Sequence, residues 1–184
     1  TEAYAVIPKG TMCDIVTSFL PHWHKTRAWV LARPLSGFAE TFSQYIMEVS
    51  PGGGSNQPDA ETRSQSVLFV TDGQGLLRLN GQEHALKAGS YAYIPSGLDW
   101  ALEAGVDTLR FHWLRKLYVS VSGIDAPEVF VTHEDDHDIN LMPETNGAWG
   151  TTRFVAPDDL RHDMHVNIVT FQPGGVIPFE ETHL

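Results

Sequence analysis

Hydrophobic and polar positions alternate along this chain over short stretches, and the apolar residues rarely recur at helical spacing. Phe42-Ser43-Gln44-Tyr45-Ile46-Met47-Glu48-Val49 reads as a strand running into Ser50-Pro51-Gly52-Gly53-Gly54, and Ser66 to Thr71 as a second, stopped by Asp72-Gly73. A third begins at Gly75, carries Leu76, Leu77 and Leu79, and meets Asn80-Gly81, the dipeptide that best supplies two positive-φ residues for a tight hairpin. His84-Ala85-Leu86 is therefore expected to return antiparallel. Ser90 to Ile94 is a strand ended by Pro95-Ser96-Gly97, and Thr108 to Tyr118 a long one offering Phe111, Trp113, Leu114 and Leu117 to a core. Only Glu40 to Gln44 and Ala156 to Leu160 carry a weak helical pattern. Short strands broken this often by turn residues predict an all-β sandwich or barrel.

The chain also repeats itself. Ile46-Met47-Glu48-Val49-Ser50-Pro51-Gly52-Gly53 matches Ile168-Val169-Thr170-Phe171-Gln172-Pro173-Gly174-Gly175 at an offset of 122 residues. The first copy is followed by strand-and-turn pattern as far as Tyr118, the second by only nine residues. The expectation is a chain that stops inside a second barrel.

Composition narrows the function. Asp and Glu number 23 against 12 Lys and Arg, a formal net charge of -11, which gives no electrostatic footprint for phosphate backbones or anionic membranes. Nucleic acid and membrane are excluded as partners, and no apolar run reaches the length of a spanning helix. The single cysteine, Cys13, excludes an internal disulfide framework and fits a reducing compartment, so a cytoplasmic location is expected.

The motifs carry a family resemblance. Val70-Thr71-Asp72-Gly73-Gln74-Gly75 resembles the strand and Gly-x-Gly ending of the first cupin motif, and Gly89-Ser90-Tyr91-Ala92-Tyr93-Ile94-Pro95-Ser96-Gly97 resembles the Gly-x5-Pro-x-Gly core of the second. The resemblance implies a cupin-type antiparallel barrel. It also implies where a metal would be held: a His-x-His pair, an acid a few residues later, and a His after the second motif. In the first barrel those positions fall near Asp59 and Glu61, at Gln65 or Ser66, and at Trp100. Trp is no ligand, so this barrel is expected to be a metal-free structural core with Trp100 plugging its mouth.

Aligned through Pro51 and Pro173, the paired positions recur as Glu181 and His183. Residues two apart on a strand share a face, so a carboxylate and an imidazole would converge there. The run from His162 to Gly175, with Phe179-Glu180-Glu181-Thr182-His183, resembles the start of the second cupin in the bicupin (S)-ureidoglycine aminohydrolases; Ser43 to Tyr118 is similar to their first. That resemblance implies a manganese-dependent hydrolase of purine-ureide breakdown, acting on a small anionic ureide, with Glu181 and His183 as metal ligands and the remaining ligands beyond Leu184. The domains expected are 1–118, a metal-free barrel with leading strands, and 119–184, a connector and the start of the second barrel. The 184 residues alone are expected to be inactive.

Other histidines compete for attention. His22-Trp23-His24 has the lettering of a ligand pair but no acid or rim glycine at the right distance, and reads as surface or interface side chains. His133-Glu134-Asp135-Asp136-His137-Asp138 reads as a solvated loop. His162 and His165, on a presumed strand, would reach different faces. Apolar Trp23, Trp29, Val30 and Leu31 ahead of the first barrel suggest a homo-oligomer, or pairing of these strands with the second barrel. Two alternatives to the hydrolase stand: a non-catalytic small-molecule-binding or structural cupin, and a different metal-dependent cupin enzyme.

Overall fold

The computed structural model describes residues 6, 8, 20–32, 41–59 and 61–178. Among them run the strands β1 (His24–Ala32), β2 (Phe42–Ser55), β3 (Ser64–Asp72), β4 (Gln74–Leu79), β5 (Gln82–Lys87), β6 (Ser90–Ile94), β7 (Trp100–Ala104), β8 (Leu109–Leu117), β9 (Phe130–His133), β10 (Ile139–Leu141), β11 (Trp149–Arg153) and β12 (Asn167–Phe171). Nine form one antiparallel sheet in the order β5-β4-β7-β2-β8-β3-β6-β9, with β1 paired to β2. The sheet curls into a nearly closed barrel, β5 returning to contact β3. No helix among the described residues is long and apolar enough to cross a membrane.

One strand serves both sides of the barrel. The first part of β2 pairs with β8, then Pro51-Gly52-Gly53-Gly54 bends the chain so that Gly54 and Ser55 pair with Glu103 and Leu102 of β7. Gly54 has φ +146, and a Cβ there would lie 2.0 Å from the Leu102 carbonyl oxygen. Only glycine permits that approach. Asn80 and Gly81, both at positive φ, make the hairpin between β4 and β5 that the sequence predicts.

Alternation sorts the side chains. Tyr45, Met47 and Val49 of β2 stand opposite Trp113, Phe111 and Leu109 of β8, which continue to Leu68 and Val70 of β3; these form the interior with Leu77, Leu102 and Ala92. The opposite face of the same sheet presents Leu114, Val67, Tyr93 and Phe130 in one row. That row is covered by Phe154, Met164, Val166 and Ile168 from the following segment. Each large side chain so removed from water contributes roughly 1.5–3 kcal/mol.

Several expectations need correcting. Leu114 packs on the outer face and Leu117 is half-exposed, because inward positions of β8 are the odd-numbered ones and its end passes the rim. Residues 42–44 are already strand, and Ala156–Leu160 is a turn in which Asp159 N–H donates to Ala156 O. β1 adds to the first barrel through β2, and Trp23 is buried inside the barrel, not exposed. β9 lies past residue 118 yet hydrogen-bonds to β6 as an edge of the same sheet.

Candidate functional site

The interior of the first barrel is filled with aromatic rings. Trp23 lies 6.4 Å from Trp100, 6.3 Å from Phe111 and 5.8 Å from Trp113, centroid to centroid. Trp23 Nε1 donates to Pro58 O at 3.1 Å, and Trp113 Nε1 to Ser66 Oγ at 3.0 Å. Of the positions where a metal's ligands were sought, Ser66 is thus occupied by an indole and Trp100 is part of the packing. Gln65 points to the other face of β3, where its amide donates to Asp163 and accepts from Tyr93 Oη. Glu61 is clasped by Arg63, whose hydrogen bonds pull its carboxyl down to about 2. Asp59 faces inward and takes Nη2 of Arg115 at 2.5 Å and the Glu61 N–H at 3.0 Å on one oxygen, while its other oxygen is buried without a partner. Burial pushes the Asp59 carboxyl above its ordinary range despite the neighbouring guanidinium. Among the described residues no three His, Cys, Asp or Glu side chains gather as a metal would require.

Beyond Trp113 the barrel opens. Arg115 lies inward at the rim, opposite Ser43 of β2 and Ser66 of β3, with its guanidinium 5.3 Å from the centre of the Trp113 ring. A cleft of about 650 Å³ lies against it, walled by Phe42, Leu117 and Val119. The Arg115–Asp59 pair escaped the sequence reading, although the inward parity of Leu109, Phe111 and Trp113 extends to Arg115 and carried the signal.

The second copy of the repeat forms a separate three-stranded sheet, β10-β11-β12. β12 holds the repeated residues and pairs antiparallel with the preceding β11, as β2 pairs with β1. The turns match as well. Gly52 and Gly174 both have positive φ, +62 and +79, and a Cβ on Gly53 would meet Ser50 O and His24 O as one on Gly175 would meet Gln172 O and Ala148 O. Met47 and Val49 inside the first barrel are 0% exposed, whereas their counterparts Val169 and Phe171 are 44% and 45% exposed. Glu181 and His183, which follow this turn at the repeat positions of Asp59 and Glu61, lie outside the described residues.

The two parts are joined through Asp163. Its carboxylate receives Lys116 Nζ, Gln65 Nε2 and the Val119 N–H, and the Tyr118 hydroxyl donates to Arg161 O. Burial alone would raise its pKa; these donors outweigh burial and hold it below the usual range. His162 is no strand residue: it packs edge-on against Tyr93 at 4.6 Å, and burial lowers its pKa. His165 follows in the same coil, 6.3 Å from it. His22 and His24 are exposed around the buried Trp23. His133 ends β9 and bonds Ala88 O, and His137 bonds Thr132 Oγ1 and packs on Phe154, so the acidic 3-10 turn between them is braced by local contacts.

Comparison with known proteins agrees with this geometry. The cupin domain model matches residues 45–114. The crystal structure of a Pseudomonas aeruginosa protein named as glyoxylate-induced is 59% identical, covers 100% of this chain and 69% of its own, and superposes with a TM-score of 0.92. The chain is a cupin of the same family as this glyoxylate-induced protein. A "Probable (S)-ureidoglycine aminohydrolase" of Oryza sativa subsp. japonica is 28% identical over 91% of this chain and 52% of its own length. The (S)-ureidoglycine aminohydrolase of Escherichia coli K12 is 24% identical over 92% of this cupin and 64% of its own length. This cupin therefore spans about half to two thirds of the curated relatives it matches.

Proposed function

We propose that this cupin acts in the hydrolysis of (S)-ureidoglycine to (S)-ureidoglycolate, with release of ammonia, in a manganese-dependent protein. The observation that carries the reading is the recurrence of the β1–β2 pair and its Pro-Gly-Gly turn as β11–β12 at the head of the segment leading to Glu181-Thr182-His183. In the first copy the residue eight past the proline, Asp59, turns inward with its side chain 7% exposed. Glu181 is its repeat counterpart, which would set a carboxylate toward the interior of a second barrel, with the imidazole of His183 two residues on at the position of the part-exposed Glu61. Oxygen and nitrogen donors without thiolate suit Mn²⁺. When bound, the metal would supply a positive centre at that site and would polarise the substrate for attack by water. Water's oxygen bonds to the carbon as its bond to the amino nitrogen breaks, and the nitrogen leaves with the proton as ammonia. The first barrel, filled by Trp23, Trp100 and Trp113, is the platform, and Asp163 fixes the second half upon it. The exposed Ile139 and Leu141 on the edge strand β10 favour a homo-oligomer, and the lone cysteine a cytoplasmic location.

Electron paramagnetic resonance of Mn²⁺ titrated into the full-length gene product tests the ligand assignment. Glu181→Ala and His183→Ala are expected to abolish tight binding, while Asp59→Asn leaves it intact. Loss of the metal on changing Asp59 alone, with Glu181→Ala silent, would place the site in the first barrel and defeat the proposal.

A further inference from the structure

We propose that the cleft at the open end of the first barrel binds a small carboxylate, gripped by Arg115. The proposal does not depend on the hydrolase reading. Arg115 is held from two sides, by Asp59 at 2.5 Å and by the face of Trp113 at 5.3 Å, so its guanidinium is positioned before any ligand arrives. Among the described residues one of its five N–H donors meets an acceptor, and its side chain is 25% exposed. The hydroxyls of Ser43 and Ser64 line the same cleft. Ser43 is the cross-strand neighbour of Arg115, and Ser64 stands opposite Leu117 on β3.

Arg115, Ser43 and Ser64 bring donors to this space, which Glu61 also lines. Two nearby carboxylates are engaged elsewhere, Glu61 by Arg63 and Asp163 by Lys116 and Gln65, while Asp59 meets Arg115 and a backbone N–H through one oxygen and keeps the other buried without a partner. A carboxylate offers two acceptor oxygens at the spacing of the guanidinium fork, and a bidentate pair of this kind is roughly twice as strong as neutral hydrogen bonds. Phe42, Leu117 and Val119 give the cleft an apolar stretch of wall beside Thr41, Glu61 and Lys116, and about 650 Å³ accommodates a short hydrocarbon body behind the charged head. The chemistry is therefore that of a small aliphatic monocarboxylate.

Chemical-shift titration of the full-length protein with propionate and butyrate, following the indole N–H of Trp113, tests this. Saturable binding is expected, at least tenfold tighter than for propionamide, which has the same shape without the charge. Arg115→Gln and Leu117→Glu should each weaken it at least tenfold, the second by placing a rival carboxylate at the half-exposed end of β8, and Arg115→Lys should fall between. If Arg115→Gln fails to fold because Asp59 is stranded, Leu117→Glu decides alone. Absence of saturable binding, equal affinity for propionamide, or unchanged affinity in Leu117→Glu would overturn the proposal.

Discussion

Replacing Trp23 by alanine tests whether the first barrel is filled or hollow. Trp23 precedes β1, is 7% exposed, contacts three other aromatic rings within 6.4 Å, and makes one buried hydrogen bond to Pro58 O. Truncating a buried Trp to Ala costs about 3–5 kcal/mol, and the lost hydrogen bond leaves the Pro58 carbonyl unsatisfied at about 1 kcal/mol. A total of about 4–6 kcal/mol corresponds to a fall in Tm of about 8–24 °C in a chain of this length. Trp23→Phe keeps the ring packing and should lose only about 1–2 kcal/mol. Trp29, on the outer side of β1 with an unpartnered buried indole N–H, supplies the contrast: Trp29→Phe should be neutral or slightly stabilising. Urea unfolding followed by circular dichroism reads all three. A Trp23→Ala loss below about 1 kcal/mol would mean that the ring plugs nothing and that the barrel has room for a ligand deep inside.

Other consequences follow from the same contacts. Asp163→Asn should cost about 2 kcal/mol at pH 7. Because the folded pKa of Asp163 is depressed, its contribution is present above the unfolded value near 4 and is lost as pH falls through the folded value. Wild-type stability should therefore drop more steeply than that of Asp163→Asn between about pH 5 and pH 3 in parallel urea titrations. Gly54→Ala should lower stability by about 3 kcal/mol or more, since a Cβ 2.0 Å from Leu102 O forces β2 and β7 apart. Gly175→Ala, 2.3 Å from Ala148 O, should instead perturb β11 and β12 and leave the amide exchange protection of the first barrel unchanged.

Where local chemistry and period coincide, the sequence was readable: the Asn80-Gly81 hairpin, the strand from Ser90 to Ile94 and the long β8 all stand where alternation and turn residues put them. The repeat was legible too, because Pro-Gly-Gly marks a backbone approach that no other residues allow. What stayed hidden was set by distant partners. Trp23 sits between two histidines in a polar stretch, and nothing local says that a space 90 residues downstream in β8 needs its ring. Arg115 reads as a charged strand end; its pairing with Asp59 exists only because β8 and the loop after β2 meet at the rim. Gln65 looked like a ligand position, but the pleat turns it outward to Asp163, where it joins the two parts of the chain.

The most direct measurement is the initial rate of ammonia release from (S)-ureidoglycine by the full-length gene product, with and without Mn²⁺, beside its Glu181→Ala, His183→Ala and Asp59→Asn variants. The account predicts turnover that chelation removes and Mn²⁺ restores, at least a hundredfold loss in Glu181→Ala and His183→Ala, and little change in Asp59→Asn. A metal-replete, folded full-length protein that releases no ammonia from ureidoglycine, or one whose rate is indifferent to Glu181 and His183, would contradict it.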